Sequence, residues 1–200
     1  MLNISATTTE VLPDPKRYQT LCQEFDQRHA IILPHMVDNR LLQKMLVTLE
    51  GAIFSPRELE SLGIQEVDNM DKAGRILSLV LARPPLFKWL HDVTNCGPIS
   101  GCEGRVTRIN PGQSLDWHDD MNDERRCLAI TIGLSDQSYK GGDFELRRKG
   151  SPEVIFHYRH TTPGTAVIFK INRCLEHRVT QIVAGGRTVY AGWFLKVPRL

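Results

Sequence analysis

The sequence predicts an α+β chain, mainly β, in which N-terminal helices pack on the outside of one sheet of a double-sheet jelly roll or barrel. Three observations predict it. Apolar residues recur at helical spacing before about residue 98 and at strand spacing after it. Turn residues then punctuate the chain at short, regular intervals. Its 200 residues, 41% of them hydrophobic, suffice for a single domain that folds without a disulfide or zinc staple. The expected division is a helical part over about 1–97 and a jelly-roll core over about 98–197 of one domain spanning 1–200.

Taken in order, a helix near Tyr18 to Gln27 and a short strand at Ala30 to Leu33 come first. Asp38 caps a helix whose Leu41, Leu42, Met45, Leu46 and Leu49 share a face. Phe54 to Met70 is polar and reads as a connector, with a mobile lid as the alternative. Asp71 is placed to cap a second helix carrying Ala73, Ile76, Leu77, Val80 and Leu81, which Pro84-Pro85 ends. A short helical turn around Leu86 to Leu90 follows. The expected strands are then Gly104 to Ile109, Ser114 to His118, Cys127 to Leu134, Asp143 to Arg147 and Val154 to Tyr158, and after them Thr165 to Lys170, Glu176 to Val183 and Arg187 to Leu195. Asn110-Pro111-Gly112, Gly141-Gly142, Gly150-Ser151-Pro152, Thr162-Pro163-Gly164 and Gly185-Gly186 supply turns between them.

Composition narrows the function classes. Lys+Arg 25 against Asp+Glu 23 leaves a formal charge of +2, with the cations scattered, so no nucleic-acid partner is expected. The most apolar stretch, Ile76 to Ala82, is far short of the ~20 residues a membrane span needs. The N-terminal residues show no basic and apolar signal pattern, and Cys22, Cys96, Cys102, Cys127 and Cys174 form no CxxC pair. A reducing compartment and a cytoplasmic location are the expectation.

The chemistry concentrates in three places. His118-Asp119-Asp120 holds an H-x-D, and on an extended strand residues i and i+2 share a face, offering an imidazole and a carboxylate to a divalent metal. The same pair fits a solvated strand end. His177 lies in an apolar strand with Val179 and Val183 on its face, as a hydrogen-bonded core residue or as a third ligand. Two histidines and one carboxylate occupy one face of an octahedral ion and leave positions open, the arrangement of non-haem Fe(II) oxygenases. Arg187 alternates with Val189, Ala191 and Trp193, so its guanidinium either meets an anionic ligand inside or reaches solvent at a hairpin rim.

With these residues in view, the chain resembles the Fe(II)- and 2-oxoglutarate-dependent dioxygenases, in particular their prolyl 4-hydroxylase-like branch. The resemblance covers about residues 104–195 and rests on an ordered set: RINPGQSLDWHDD (Arg108 to Asp120), GGDF (Gly141 to Phe144), TPGTAVIF (Thr162 to Phe169) and HRVTQIVAGGRTVYAGWF (His177 to Phe194). It implies a double-stranded β-helix with helices packed on one sheet. It implies His118, Asp120 and His177 as the catalytic iron ligands, Arg187 as the residue that binds the distal carboxylate of 2-oxoglutarate, and Fe(II), 2-oxoglutarate and O2 as cofactor and cosubstrates. Arg108 and Gly133 stand where many relatives carry a tyrosine, which leaves Thr131 and Arg108 as candidates for the second contact to that carboxylate. Asp116 shares the parity of His118 and Asp120, and the motif spacing selects Asp120.

The implied reaction is hydroxylation of an unactivated C–H bond of an amino acid, free or within a peptide or protein, with release of succinate and CO2. Desaturation or ring formation is the variant outcome; the carboxylate of Asp120 argues against halogenation. The segments Asp119 to Arg126, Ser135 to Lys140 and Asn172 to Leu175 are expected to ring the mouth, and Arg108, Arg125, Arg126 and Arg173 are either carboxylate binders or solvated rim charges. A non-catalytic metal-binding double-sheet module is the alternative. A zinc hydrolase lacks its H-E-x-x-H helix here.

Overall fold

A computed structural model describes residues 2–135 and 137–196. Met1, Asp136 and residues 197–200, which include the last residue of the expected core, lie outside the described residues. The N-terminal part runs β1 (Leu2–Ile4), β2 (Thr9–Val11), α1 (Pro15–Arg28), β3 (Ala30–Leu33), α2 (Asn39–Glu50), β4 (Phe54–Leu59), β5 (Gly63–Asp68), α3 (Lys72–Leu81) and α4 (Pro84–Thr94). The second part begins with β6 (Ile99–Ile109), β7 (Leu115–His118), β8 (Arg126–Gly133), β9 (Lys140–Gly141) and β10 (Phe144–Arg148). It continues through β11 (Val154–Tyr158), β12 (Ala166–Lys170), β13 (Leu175–Val179), β14 (Ile182–Ala184) and β15 (Arg187–Lys196).

One antiparallel sheet of eleven strands dominates, in the order β11-β10-β13-β7-β5-β6-β15-β8-β12-β3, with β4 on β5. It rolls on itself: the Phe144 ring of β10 meets the Phe169 ring of β12 at 4.6 Å although their strands are far apart in the sheet order. Ala129, Leu146, Phe156 and Val167 join them in the core between the two layers. The outer face of the β15-β8-β12-β3 layer carries Tyr190, Phe194, Leu128, Ile130, Ile132 and Ile168, which share a second, larger core with the helices. That core takes Leu41, Leu42, Met45 and Leu49 from α2, and Leu77, Val80 and Leu81 from α3. The mainly β jelly roll with helices on one sheet is thus the architecture observed. Among the described residues no helix is long and apolar enough to cross a membrane.

Four expectations need correction. First, Phe54 to Met70 is not a connector: it folds into the β4–β5 hairpin, joined by a three-residue loop with Ser61 at φ 61°, and β5 opens on Gly63 at φ 136°. A Cβ on Gly63 would run into the Ser114 carbonyl, so only glycine lets β5 approach β7 here. Second, the turn after Pro84-Pro85 is a full helix, α4, with both prolines tolerated in its first turn. Third, the strand expected over Glu176 to Val183 breaks into β13 and β14, which leaves Val183 69% exposed instead of on the face of His177.

Fourth, Asp38 caps α2 through the Leu41 amide, but Asp71 makes no such cap to α3. At φ 47° its carboxylate turns back to accept the Val106 amide of β6 at 3.0 Å, tying helix to sheet. A Cβ on Gly74 would collide with that carboxylate. Burial pushes the Asp71 pKa up.

Candidate metal centre

Register builds the site. His177 of β13 lies directly opposite His118 at the end of β7, and their rings sit 4.1 Å apart. Asp120 follows two residues beyond His118 in left-handed backbone (φ 55°), a conformation aspartate tolerates better than most residues. Its Oδ1 lies 3.7 Å from His118 Nε2 and its Oδ2 lies 3.5 Å from His177 Nε2. One ligand atom from each of the three residues falls within a 4.8 Å cluster.

Neighbours set the state of these groups. His118 Nδ1 is 2.6 Å from the Asp116 carbonyl oxygen, to which it donates, and this holds the ring with Nε2 towards Asp120. His177 is buried beside Phe169 (4.8 Å) and Phe144 (5.7 Å). That burial, helped by His118 and opposed by Asp120, pulls its pKa down to about 3, so its imidazole is neutral at physiological pH. The Trp193 indole N–H donates to Asp120 Oδ2 at 2.8 Å. Arg126 stacks on the Trp193 ring at 3.8 Å and donates to the Asp120 carbonyl oxygen at 3.2 Å. Two imidazole nitrogens and one oriented carboxylate are a donor set that fits ferrous iron and leaves coordination positions free.

The three residues line a cavity of about 370 Å³ together with Arg187, Thr131 and Trp193. Arg187 is only 2% exposed, and its Nε and Nη2 atoms are buried without a hydrogen-bond partner among the described residues. Burial pushes its pKa down from the usual guanidinium value, while Tyr139 and Asp143 favour the charge. Asp143 is already held by Arg159 through two 2.7 Å contacts, so it does not neutralise Arg187. A buried, uncompensated guanidinium in a cavity is costly unless an anion completes it. This is a built place for an anionic ligand.

The structure separates the other sequence candidates. Thr131 lines the cavity, its hydroxyl hydrogen-bonded to His160 Nε2 at 2.9 Å. Arg108 lies on the opposite face of β6 from the cavity-lining Thr107 and Ile109, stacked on Phe54 at 3.9 Å, with its Nε donating to Thr188. It is therefore not brought to the cavity. Arg125 pairs with Asp123 at 2.7 Å and Arg173 with Glu124 at 3.0 Å, and neither lines the cavity; Arg126 does. Of the three expected mouth loops, only the 119–126 turn lines the cavity among the described residues, through Asp120, Asn122 and Arg126. The hairpin β4–β5 supplies another wall through Arg57, Leu59, Leu62 and Gln65.

Sequence reasoning missed the hairpin and the buried His160. His160 sits against Gly133, where a Cβ would meet its ring at 3.1 Å, and burial together with Arg187 pulls its pKa down to about 3. Trp193 was accessible to it, since it shares the parity of Arg187.

Residues 104–195 match the family model of the 2OG-Fe(II) oxygenase superfamily. A search of curated protein sequences finds no match. Among solved structures the chain is similar to a Pseudomonas putida prolyl-4-hydroxylase (TM-score 0.68, 15% identity, covering 90% of this chain and 99% of that one). A 2OG-Fe(II) oxygenase family oxidoreductase from Burkholderia pseudomallei is comparably similar (TM-score 0.69, 15% identity, 98% and 96%). So is a Trichoplax adhaerens prolyl hydroxylase in complex with a hypoxia inducible factor peptide (TM-score 0.68, 15% identity, 90% and 90%). At these identities the structures show a shared fold, and the family match covers the segment that carries His118, Asp120, His177 and Arg187. Over residues 104–195, just under half of its length, this chain thus matches the 2OG-Fe(II) oxygenase superfamily, enzymes that work with Fe(II), 2-oxoglutarate and O2.

Proposed function

We propose that this enzyme hydroxylates an unactivated C–H bond of an amino acid, free or within a peptide or protein. The observation that carries the reading is one cavity holding both the His118, Asp120 and His177 cluster and the orphaned Arg187. Ferrous iron and 2-oxoglutarate, when bound with O2, supply an oxidant strong enough for such a bond and release succinate and CO2.

The chain's own residues hold and orient. His118 and His177 offer imidazole nitrogens and Asp120 a carboxylate fixed by Trp193, so that the ligand face is set before substrate arrives. Arg187 pairs with the distal carboxylate, and Thr131, with the orphaned Tyr139 hydroxyl near Arg187, completes the polar end. Phe144, Phe169 and Val179 keep the inner wall dry. The apolar faces of the helices find their core on the outer sheet face, which supports reading 1–200 as one domain.

The test needs no substrate. Anaerobic protein with Fe(II) and 2-oxoglutarate is expected to show a charge-transfer band near about 500 nm, as iron chelated by a 2-oxo acid does. The band is lost in His118→Ala and weakened in Arg187→Ala. Folded, metal-competent protein with no band would sink the reading. Product mass then separates hydroxylation, which adds an oxygen atom, from desaturation or cyclisation, which removes a hydrogen pair.

A further inference from the structure

We propose that the substrate presents a carboxylate, which the cavity mouth receives between Arg57 and Arg105. The inference rests on the oxygenase reading of the same site and names the chemistry of the molecule that the site takes.

The charge balance of the cavity wall points there. Its cations are Arg57, Arg105, Arg126 and Arg187, and its carboxylates among the described residues are Asp120 and Glu103. Asp120 belongs to the metal cluster and Arg187 to the buried polar end. Glu103 faces Arg126 at 3.7 Å, and Arg126 is further held by the Asn122 side chain at 2.6 Å and by its stacking on Trp193. That leaves Arg57 and Arg105. Neither makes a hydrogen bond or ion pair with a described residue; the Asp71 carboxylate, itself bound to the Val106 amide, is within electrostatic reach of Arg105.

The two arginines come from separate elements, and strand alternation puts both on the cavity side, Arg57 level with Gln65 and Arg105 further along β6. On the hairpin, Arg57 and its cross-strand partner Gln65 line the cavity, whereas Glu58 and Glu66 alternate to the other side. On β6, Glu103, Arg105 and Thr107 line it and Arg108 does not. Arg105 lies level with Ala191 of β15, a small side chain that leaves space beside it, and beyond Ala191 with Thr131 of β8. Leu59, Leu62 and Leu115 provide apolar wall close to these cations. Uncompensated guanidinium groups over a cavity of this size attract an anion and give it a fixed planar partner.

Such a carboxylate could be the α-carboxylate of a free amino acid or an acidic side chain beside the target residue of a peptide, and the test separates the two. Anaerobic protein loaded with Fe(II) and saturating 2-oxoglutarate is titrated with two probe series, reading perturbation of the charge-transfer band. The first pairs L-proline and L-leucine with their carboxamides. The second is a blocked alanine-based pentapeptide containing proline flanked by Glu, Gln or Lys. In one of the series the carboxylate probe is expected to bind about tenfold tighter than its uncharged twin at low salt, with the gap narrowing as salt rises. The series that shows the gap identifies the source.

In whichever series shows the gap, the double variant Arg57→Glu/Arg105→Glu is expected to reverse the preference for the carboxylate probe; Arg57→Gln/Arg105→Gln, a milder change should the reversal fail to fold, erases it. Equal binding of charged and uncharged twins, no binding by any carboxylate probe, or a preference that survives the folded double variants would overturn the proposal. No band in the wild-type protein would instead remove the oxygenase reading beneath it.

Discussion

Strand β15 builds two unlike surfaces from alternate residues. Tyr190 and Phe194, both 0% exposed, point to the helices and fill a close-packed core. Arg187, Val189, Ala191 and Trp193 point the other way, and there the neighbouring β8 residues are small: Ala129 and Thr131 face the cavity where Leu128, Ile130 and Ile132 face the helices. One face is selected for volume and the other for emptiness with a few polar groups placed in it. Stability and chemistry are therefore carried by alternate residues of the same strands, and substitutions on the two faces should fail in different ways.

The largest break is expected on the cavity face. Asp120→Ala should abolish both the charge-transfer band and turnover while leaving the melting temperature of the metal-free protein little changed. Joint loss of band and fold would show that the faces are not separable.

On the helix face, Phe194→Ala removes a ring that meets Phe87 edge-on at 6.3 Å. It should cost about 3–5 kcal/mol in urea unfolding, with 2-oxoglutarate affinity of the folded fraction retained. An unaltered unfolding midpoint would contradict the packing role.

Arg187→Met sharpens the contrast, because stability and binding should move in opposite directions. Removing a buried, uncompensated charge is expected to raise the stability of the ligand-free protein by about 1 kcal/mol. The lost charge-assisted hydrogen bonds should weaken 2-oxoglutarate binding by about 2–3 kcal/mol, read by titration of the band. A destabilised Arg187→Met would mean that the guanidinium has a partner within the fold.

The smallest effect is a pH slope. The folded-state pKa of His160 lies near about 3, below its ordinary 6.5, so between these values the unfolded chain takes up a proton that the native state refuses. Stability should fall as pH drops through that window, and be flat above it as far as this group is concerned. His177 adds a parallel slope in metal-free protein. Chemical denaturation across pH should show the slope shallower by one proton in His160→Asn, and an unaltered slope would place His160 in contact with water.

Much of this was legible from residue spacing. Eight short strands with regular turns pointed to the jelly roll, and parity along β15 already put Arg187 and Trp193 on one side. For Asp120 the i, i+2 rule does not describe the route: the residue lies past the end of β7 in left-handed backbone, and a turn brings its carboxylate back to the histidines. The hairpin β4–β5 was not legible. Its β4 strand is an edge strand with Pro56 inside and exposed Arg57 and Glu58, so burial imposes no clear alternation on it. His160 and Tyr139 lie outside any strand, where no periodicity marks a buried side chain.

That same hairpin is held in the sheet by a short seam. Between β5 and its neighbours the register pairs are Glu66 with Arg108 and Val67 with Thr107 on one side, and Gly63 with Leu115 on the other. By comparison, β15 is paired along its whole length with β6. Few backbone hydrogen bonds need to break for this wall to part, so its amides are expected to exchange with solvent sooner than those of β6 or β15. The wall that carries Arg57 and Gln65 is then the side of the cavity most open to rebuilding by mutation, while β15 keeps Arg187 in register along β6.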